Sequence, residues 1–220
     1  MRKEINSELV AYIETEFFPI YETFDKGHDL KHIKEVIDRA LKIADSIDGL
    51  DIDIVYAATS LHDIGIQQQR KNHAFYSGLI VQNNEGLRNF FDRDEIRIIK
   101  EAVEDHSTSL GREPRSIYGK IVCDADKDND LETSLTRAYE FTLAYFPDFN
   151  QEECLENVFE QLNFKFGNEG KVRFWIGTEE QQEFLNQMRS LANDKEAFLT
   201  AMEPIVEKCG KAEKVKCINS

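Results

Sequence analysis

The chain has 220 residues, 41% of them hydrophobic and 31% charged, with 11 Gly, 4 Pro and a net charge of −15. That composition reads as a globular, soluble, helix-rich protein with enough chain for a stable core, rather than a disordered or all-β one. No apolar run approaches the roughly 20 residues that span a bilayer, and "MRKEINSELV" lacks the apolar region of a secretory signal, so a cytoplasmic location is expected.

The acidity is spread over both halves, with no basic stripe or tail. Nucleic-acid polymers and anionic membranes are therefore not expected as main partners. An anionic substrate would need a local positive centre, such as a metal ion. The four cysteines, Cys123, Cys154, Cys209 and Cys217, form no C-x-x-C pair and read as thiols, with Cys123 a core residue.

Helical periodicity runs through nearly the whole chain, which predicts an all-α fold. Leu9, Tyr12, Ile13, Phe17, Ile20 and Phe24 mark the apolar face of a first helix. A second follows Asp29 as N-cap and turns Ile33, Val36, Ile37, Ala40, Ile43, Ala44 and Ile47 inward, with Gly49 past its end. A short third helix is expected over 53–61, and a fourth over 73–81 with Asn72 as cap. Asp92 and Glu95 have capping-box spacing ahead of Ile96, Ile99 and Val103. A long helix, or a pair, is expected over 117–145, closed by Pro147. Leu155, Val158, Phe159, Leu162 and Phe166 mark the next helix, and "GNEG" a turn. "KVRFWI" could be a short strand or an extended connector. Thr178 and Gln181 suggest a capping box, and the last helix, to about residue 206, carries Phe184, Met188, Leu191, Phe198, Met202 and Ile205. The final ten residues are expected to fray.

All five histidines, His28, His32, His62, His73 and His106, lie in the first half of the chain. His32 shares a helix face with Val36, Ala40, Ile43 and Ile47. His62 follows Val55 and Ala58, and His106 follows Ile99 and Val103, at helical spacing. Three helices thus each aim an imidazole inward. A single inward histidine is most simply a neutral ring bonded to a carbonyl. Three of them, with Asp63 adjacent to one, are more economically satisfied by a shared cation. Imidazole and carboxylate donors suit Mn, Fe, Co, Ni, Zn or Mg, and without a cysteine set the site should keep open positions. A further acidic ligand is sought in "IVCDADKDND". Asp128 and Asp130 read as a solvated helix end, whereas Asp124 and Asp126 follow an apolar lead-in.

Taken together, "GHDLKHIKEV", "LHDIG" and "KIVCDADK" resemble the motifs of the HD-domain superfamily of metal-dependent phosphohydrolases, over roughly residues 25–140. The resemblance implies an HD-like helical bundle with additional C-terminal helices. It implies metal ligands His32, His62, Asp63 and Asp126, with Asp124 as the alternative to Asp126. His28 and Asp29 match the first part of the "HDxxH" motif. Some members hold two metals, and His73 and His106 stand where further ligands, or phosphate contacts, would come. One or two divalent ions per chain are therefore expected. The longer Gly-Tyr-Pro signature of the cyclic-di-GMP hydrolases is absent. The part from about residue 148 matches no known pattern, so the division is 1–147 and 148–220, or a single domain.

The implied activity is phosphohydrolysis of a nucleotide or other small phosphate ester by a metal-activated water. Asp63 would ligate and orient the water, and His106 and Asp124 are candidate acid–base groups, with Glu104 and Asp105 beside His106. His28, His73, Arg115 and Lys127 are candidate substrate contacts, ahead of Arg70, Lys71, Arg112 and Lys120. A di-iron oxygenase and a non-catalytic regulatory module are the competing readings. Gly65 is expected to let the chain turn away after the ligand pair.

Overall fold

A computed structural model of the chain describes residues 4–25, 27–107 and 111–218, with side chains as far as Gly210. Among the described residues there are helices and connectors but no strand, and the all-α expectation holds. Two compact units divide between Lys127 and Asp128, ahead of the 147/148 division expected from the sequence.

The first unit opens with α1 (Ser7–Glu16), capped by the Asn6 side chain, and the short α2 (Phe18–Tyr21). The single first helix expected as far as Phe24 is interrupted here. Pro19 lacks an N–H and fits best in a first turn, and the helix restarts around it. The apolar face survives the break, with Leu9, Ile13, Phe17 and Tyr21 all buried. Helix α3 (Leu30–Asp45) starts at Asp29, whose carboxylate accepts from His32 N at 2.9 Å. Gly49, at φ +80°, supplies the left-handed turn beyond it.

Helix α4 (Ile52–Leu61) is buried from Ile54 through Leu61 and is the central post of this unit. It packs against α1, α3, α6 (Arg93–Asp105) and α7 (Ile117–Asp126). Helix α5 (His73–Asn83) lies on α6 and on the single turn of 3₁₀ helix Ile64–Gln67. Asn72 stands at its N-cap, but its side chain bonds Gln69 rather than the helix, which corrects the expected cap. The Asp92–Glu95 capping box forms as expected.

In the second unit, α8 (Leu131–Tyr145) begins at Asp130, so the 117–145 stretch is a pair of helices. Leu135 and Tyr139 of α8 pack with α9 (Gln151–Phe166), α10 (Glu179–Asn193) and α11 (Lys195–Ile218). That burial is why α8 belongs here. Residues 171–176 are a connector, not a strand. The expected last helix is two. Asp194 ends α10 and its carboxylate caps α11 through Glu196 N and Ala197 N. Helix α11 continues to Ile218, and the side chains beyond Gly210, Cys217 among them, lie outside the described residues.

Candidate metal centre

Five helix ends of the first unit meet at one place. His32 lies in the first turn of α3, His62 caps α4 with Asp63 next to it, His73 begins α5, His106 caps α6, and Asp126 ends α7. Helix ends leave backbone carbonyls without intrahelical partners, and the rings use them. His62 Nδ1 lies 2.7 Å from Thr59 O, His106 Nδ1 2.5 Å from Val103 O, and His73 Nδ1 2.8 Å from Arg70 O. A carbonyl only accepts, so each Nδ1 carries the proton and each Nε2 is left facing the centre.

What the Nε2 atoms face is carboxylate. His32 Nε2 lies 3.2 Å from Asp126 Oδ1, and His62 Nε2 lies 3.5 Å from that oxygen and 3.3 Å from Asp63 Oδ2. Across the centre, His73 Nε2 and His106 Nε2 lie 3.2 and 3.4 Å from Asp63 Oδ1, and 3.0 Å from each other. Asp63 therefore presents one oxygen to each side. Two sets of ligand atoms, His32/His62/Asp126 and His62/Asp63/His106, each fall within 4.8 Å of one another.

This donor set fits a divalent cation. His32 Nε2 and His62 Nε2 are buried and have no hydrogen-bond partner. A lone pair opposite a carboxylate oxygen is repulsive unless a proton or a metal ion lies between them. Burial disfavours charge on His62 and His73, but Asp63, with Asp126 in the case of His62, outweighs it and raises both above the ordinary imidazole range. Burial likewise opposes ionisation of Asp63 and Asp126. The surrounding histidines overcome it and hold both well below the usual carboxylate range. The centre is electrostatically built for positive charge.

Other expected site residues lie elsewhere. Asp124 is fully buried, but its carboxylate faces Lys127 Nζ at 3.4 Å and belongs to neither ligand set, so it is not placed as an acid–base group. Successive residues of a helix point about 100° apart, so Asp124 and Asp126 cannot share a face. Lys127 turns back to Cys123 O at 2.9 Å, away from a substrate role. Arg115 is committed to structure: its Nε bonds Asp105 Oδ2 at 3.0 Å and its Nη2 bonds Glu104 Oε2 at 2.8 Å. Those bonds also occupy Glu104 and Asp105. His28 is outside the cluster at its rim, with its ring centroid 6.1 Å from that of His32 and its Nδ1 3.1 Å from Asp25 Oδ1. Arg70 pairs with Asp25 and brings Nη2 to 3.4 Å from His28 Nδ1. The guanidinium holds the Asp25 carboxyl far below its ordinary range.

Two supporting residues escaped the sequence reading. The Tyr21 hydroxyl donates to Ser60 O at 2.8 Å, and Ser77 Oγ donates to His62 O at 2.6 Å. Only the small pair Ser77-Gly78 hinted at close packing on α5. Gly65 also has a different reason from the one expected. Its φ is not positive, and a Cβ there would sit 2.1 Å from His73 O. Glycine is needed for the close approach of α5, not for a turn.

Residues 29–129 match the family model of the HD domain, an all-α domain family. The matched segment contains every histidine and aspartate of the centre. No curated protein and no solved structure matches the chain.

Proposed function

We propose that the protein is a metal-dependent phosphohydrolase acting on a nucleotide or another small phosphate ester. His32, His62, Asp63 and Asp126 would hold one divalent ion. His73 and His106, with the second oxygen of Asp63, would hold another or contact the phosphate. The observation that carries this reading is the pair of buried, partnerless Nε2 atoms of His32 and His62, directed at carboxylates inside an HD domain. When bound, the ion supplies a Lewis acid for phosphoryl oxygens and acidifies a water.

The chain's own groups do the rest. The carbonyls of Thr59 and Val103 fix the tautomers of His62 and His106, so their Nε2 atoms need no reorientation. Where the second position holds no ion, His73 and His106 can share a proton between Nε2 atoms beside Asp63 Oδ1. At the rim, Arg70 and His28 are both paired with Asp25, and they would contact the rest of an anionic substrate only by exchanging that carboxylate for it.

A screen of nucleotides and sugar phosphates with Mn, Co, Ni and Mg tests the reading. Phosphate should be released by the unaltered protein and not by His62→Ala. Equal release by both overturns it. The six-donor arrangement around Asp63 also suits a di-iron oxygenase. Metal analysis separates the two, because that reading requires two irons per chain.

A further inference from the structure

The turn that carries His62 and Asp63 is fastened to α5 by one hydroxyl. Ser77 is fully buried. Its Oγ donates to the His62 carbonyl at 2.6 Å and accepts from Gly65 N–H at 2.9 Å. Those two backbone groups bracket Asp63 in the chain. The α5 backbone is pressed against the same turn, where a Cβ on Gly65 would lie 2.5 Å from Ser77 N. His73 and Ser77 are one helical turn apart on the same face of α5. One element therefore both grips the backbone around Asp63 and delivers His73 Nε2 to within 3.2 Å of Asp63 Oδ1.

A carboxylate serves two sides only if its plane is held. Asp63 Oδ2 faces His62 at 3.3 Å while Oδ1 faces His73 and His106 at 3.2 and 3.4 Å. A small rotation of the turn would keep the oxygen next to its own neighbour, His62, and lose the oxygen aimed across to α5 and α6. We propose that Ser77 is a positioning residue that fixes Asp63 as the link between two metal positions. This rests on the metal reading above and assigns the second position's integrity to a residue that touches neither metal.

The test is titration of metal-free protein with Mn²⁺, read by calorimetry and by metal content after gel filtration. The unaltered protein should take two equivalents. Ser77→Ala, verified as folded by circular dichroism, should keep the first and weaken the second roughly 10- to 100-fold, the usual loss when an outer partner is removed. His73→Ala should match it. Ser77→Thr and Ser77→Val have the same shape and differ only in the hydroxyl. Thr should retain the second equivalent and Val lose it, and this comparison decides the matter should the alanine variant not fold. A merely structural hydroxyl would lower the melting temperature and leave both affinities unchanged. That result overturns the proposal. Equal weakening at both positions, a Thr variant that behaves as the Val variant, or one equivalent in the unaltered protein also overturns it. No binding by the unaltered protein would refute the metal reading itself, and shows in that protein's own titration before any variant is compared.

Discussion

Asp124 and Asp126 show how much one residue of helical rotation decides. Both are acidic, both follow the apolar run 121–123, and they are two positions apart. Asp126 reaches two imidazoles, whereas Asp124 reaches Lys127. Asp126→Asn should therefore weaken metal binding by more than the ~10–100-fold that loss of an outer partner costs. Asp124→Ala should leave metal content unchanged and lower stability by about 1–3 kcal/mol, since it strips a partner from a mostly buried ammonium. Metal analysis and urea unfolding of the two variants check this.

The same residues set a pH dependence. His62 and His73 have raised pKa values in the metal-free protein, so their contribution to stability is fully present below the ordinary imidazole value of 6.5. It is lost as pH rises through the raised values. Asp63 and Asp126 are depressed, so their contribution is present above the ordinary 3.8 and lost as pH falls through the depressed values. Metal-free protein should be stabilised by the centre between those limits and weaken on the alkaline side. A divalent metal competes with protons for the Nε2 atoms, so its stabilising effect should grow with pH. Melting curves from about pH 5 to about pH 9, with chelator and with Mn²⁺, check both trends. A melting temperature raised equally by metal at every pH would contradict the assignment.

At the scale of elements, the centre depends on how helix ends are braced. Arg115, at the approach to α7, bonds Asp105 and Glu104 at the end of α6, next to His106. Asp105 also receives Arg112 Nη2 at 2.5 Å and Arg115 N at 2.7 Å, so removing one guanidinium does not strand it entirely. Arg115→Ala should cost about 1–3 kcal/mol in urea unfolding. Arg115→Lys should recover little, because an ammonium cannot span both carboxylates as the planar fork does. Caps behave more simply. Asp92→Ala removes one half of a formed capping box and should cost about 1 kcal/mol.

At the scale of the molecule, the described residues of each unit form a hydrophobic cluster of their own. Leu9, Ile33, Leu61 and Ile99 belong to the first, and Leu135, Leu162, Phe198 and Met202 to the second. The candidate metal centre draws its donor groups from the first unit. Phe198→Ala should therefore destabilise the second unit by about 3–5 kcal/mol and leave metal stoichiometry unchanged. Denaturation followed alongside metal content tests this. A parallel loss of metal would show that the centre depends on the second core.

The sequence by itself determined the helical class, the caps at Asp29, Asp92 and Thr178, and the motif set that resembles the HD family. Those features are local: periodicity, cap chemistry and short spacings are written within a few residues of one another. It also pointed to the inward histidines, since apolar neighbours at helical spacing reveal which face a ring shares. It left open Asp124 against Asp126, ran a single first helix through Pro19, and grouped α8 with the first part of the chain or with a single domain. Only the tertiary structure decided which acidic group meets the imidazoles, that Arg115 and Lys127 are held by structural partners, and that Gly65 makes room for α5. Each of these depends on which distant surfaces come within hydrogen-bond or van der Waals reach. Contacts such as Ser77 to His62, or Arg70 to Asp25, join residues whose spacing in the chain carries no periodic signal. The packing of helices fixes them, and packing is a property of all the faces at once.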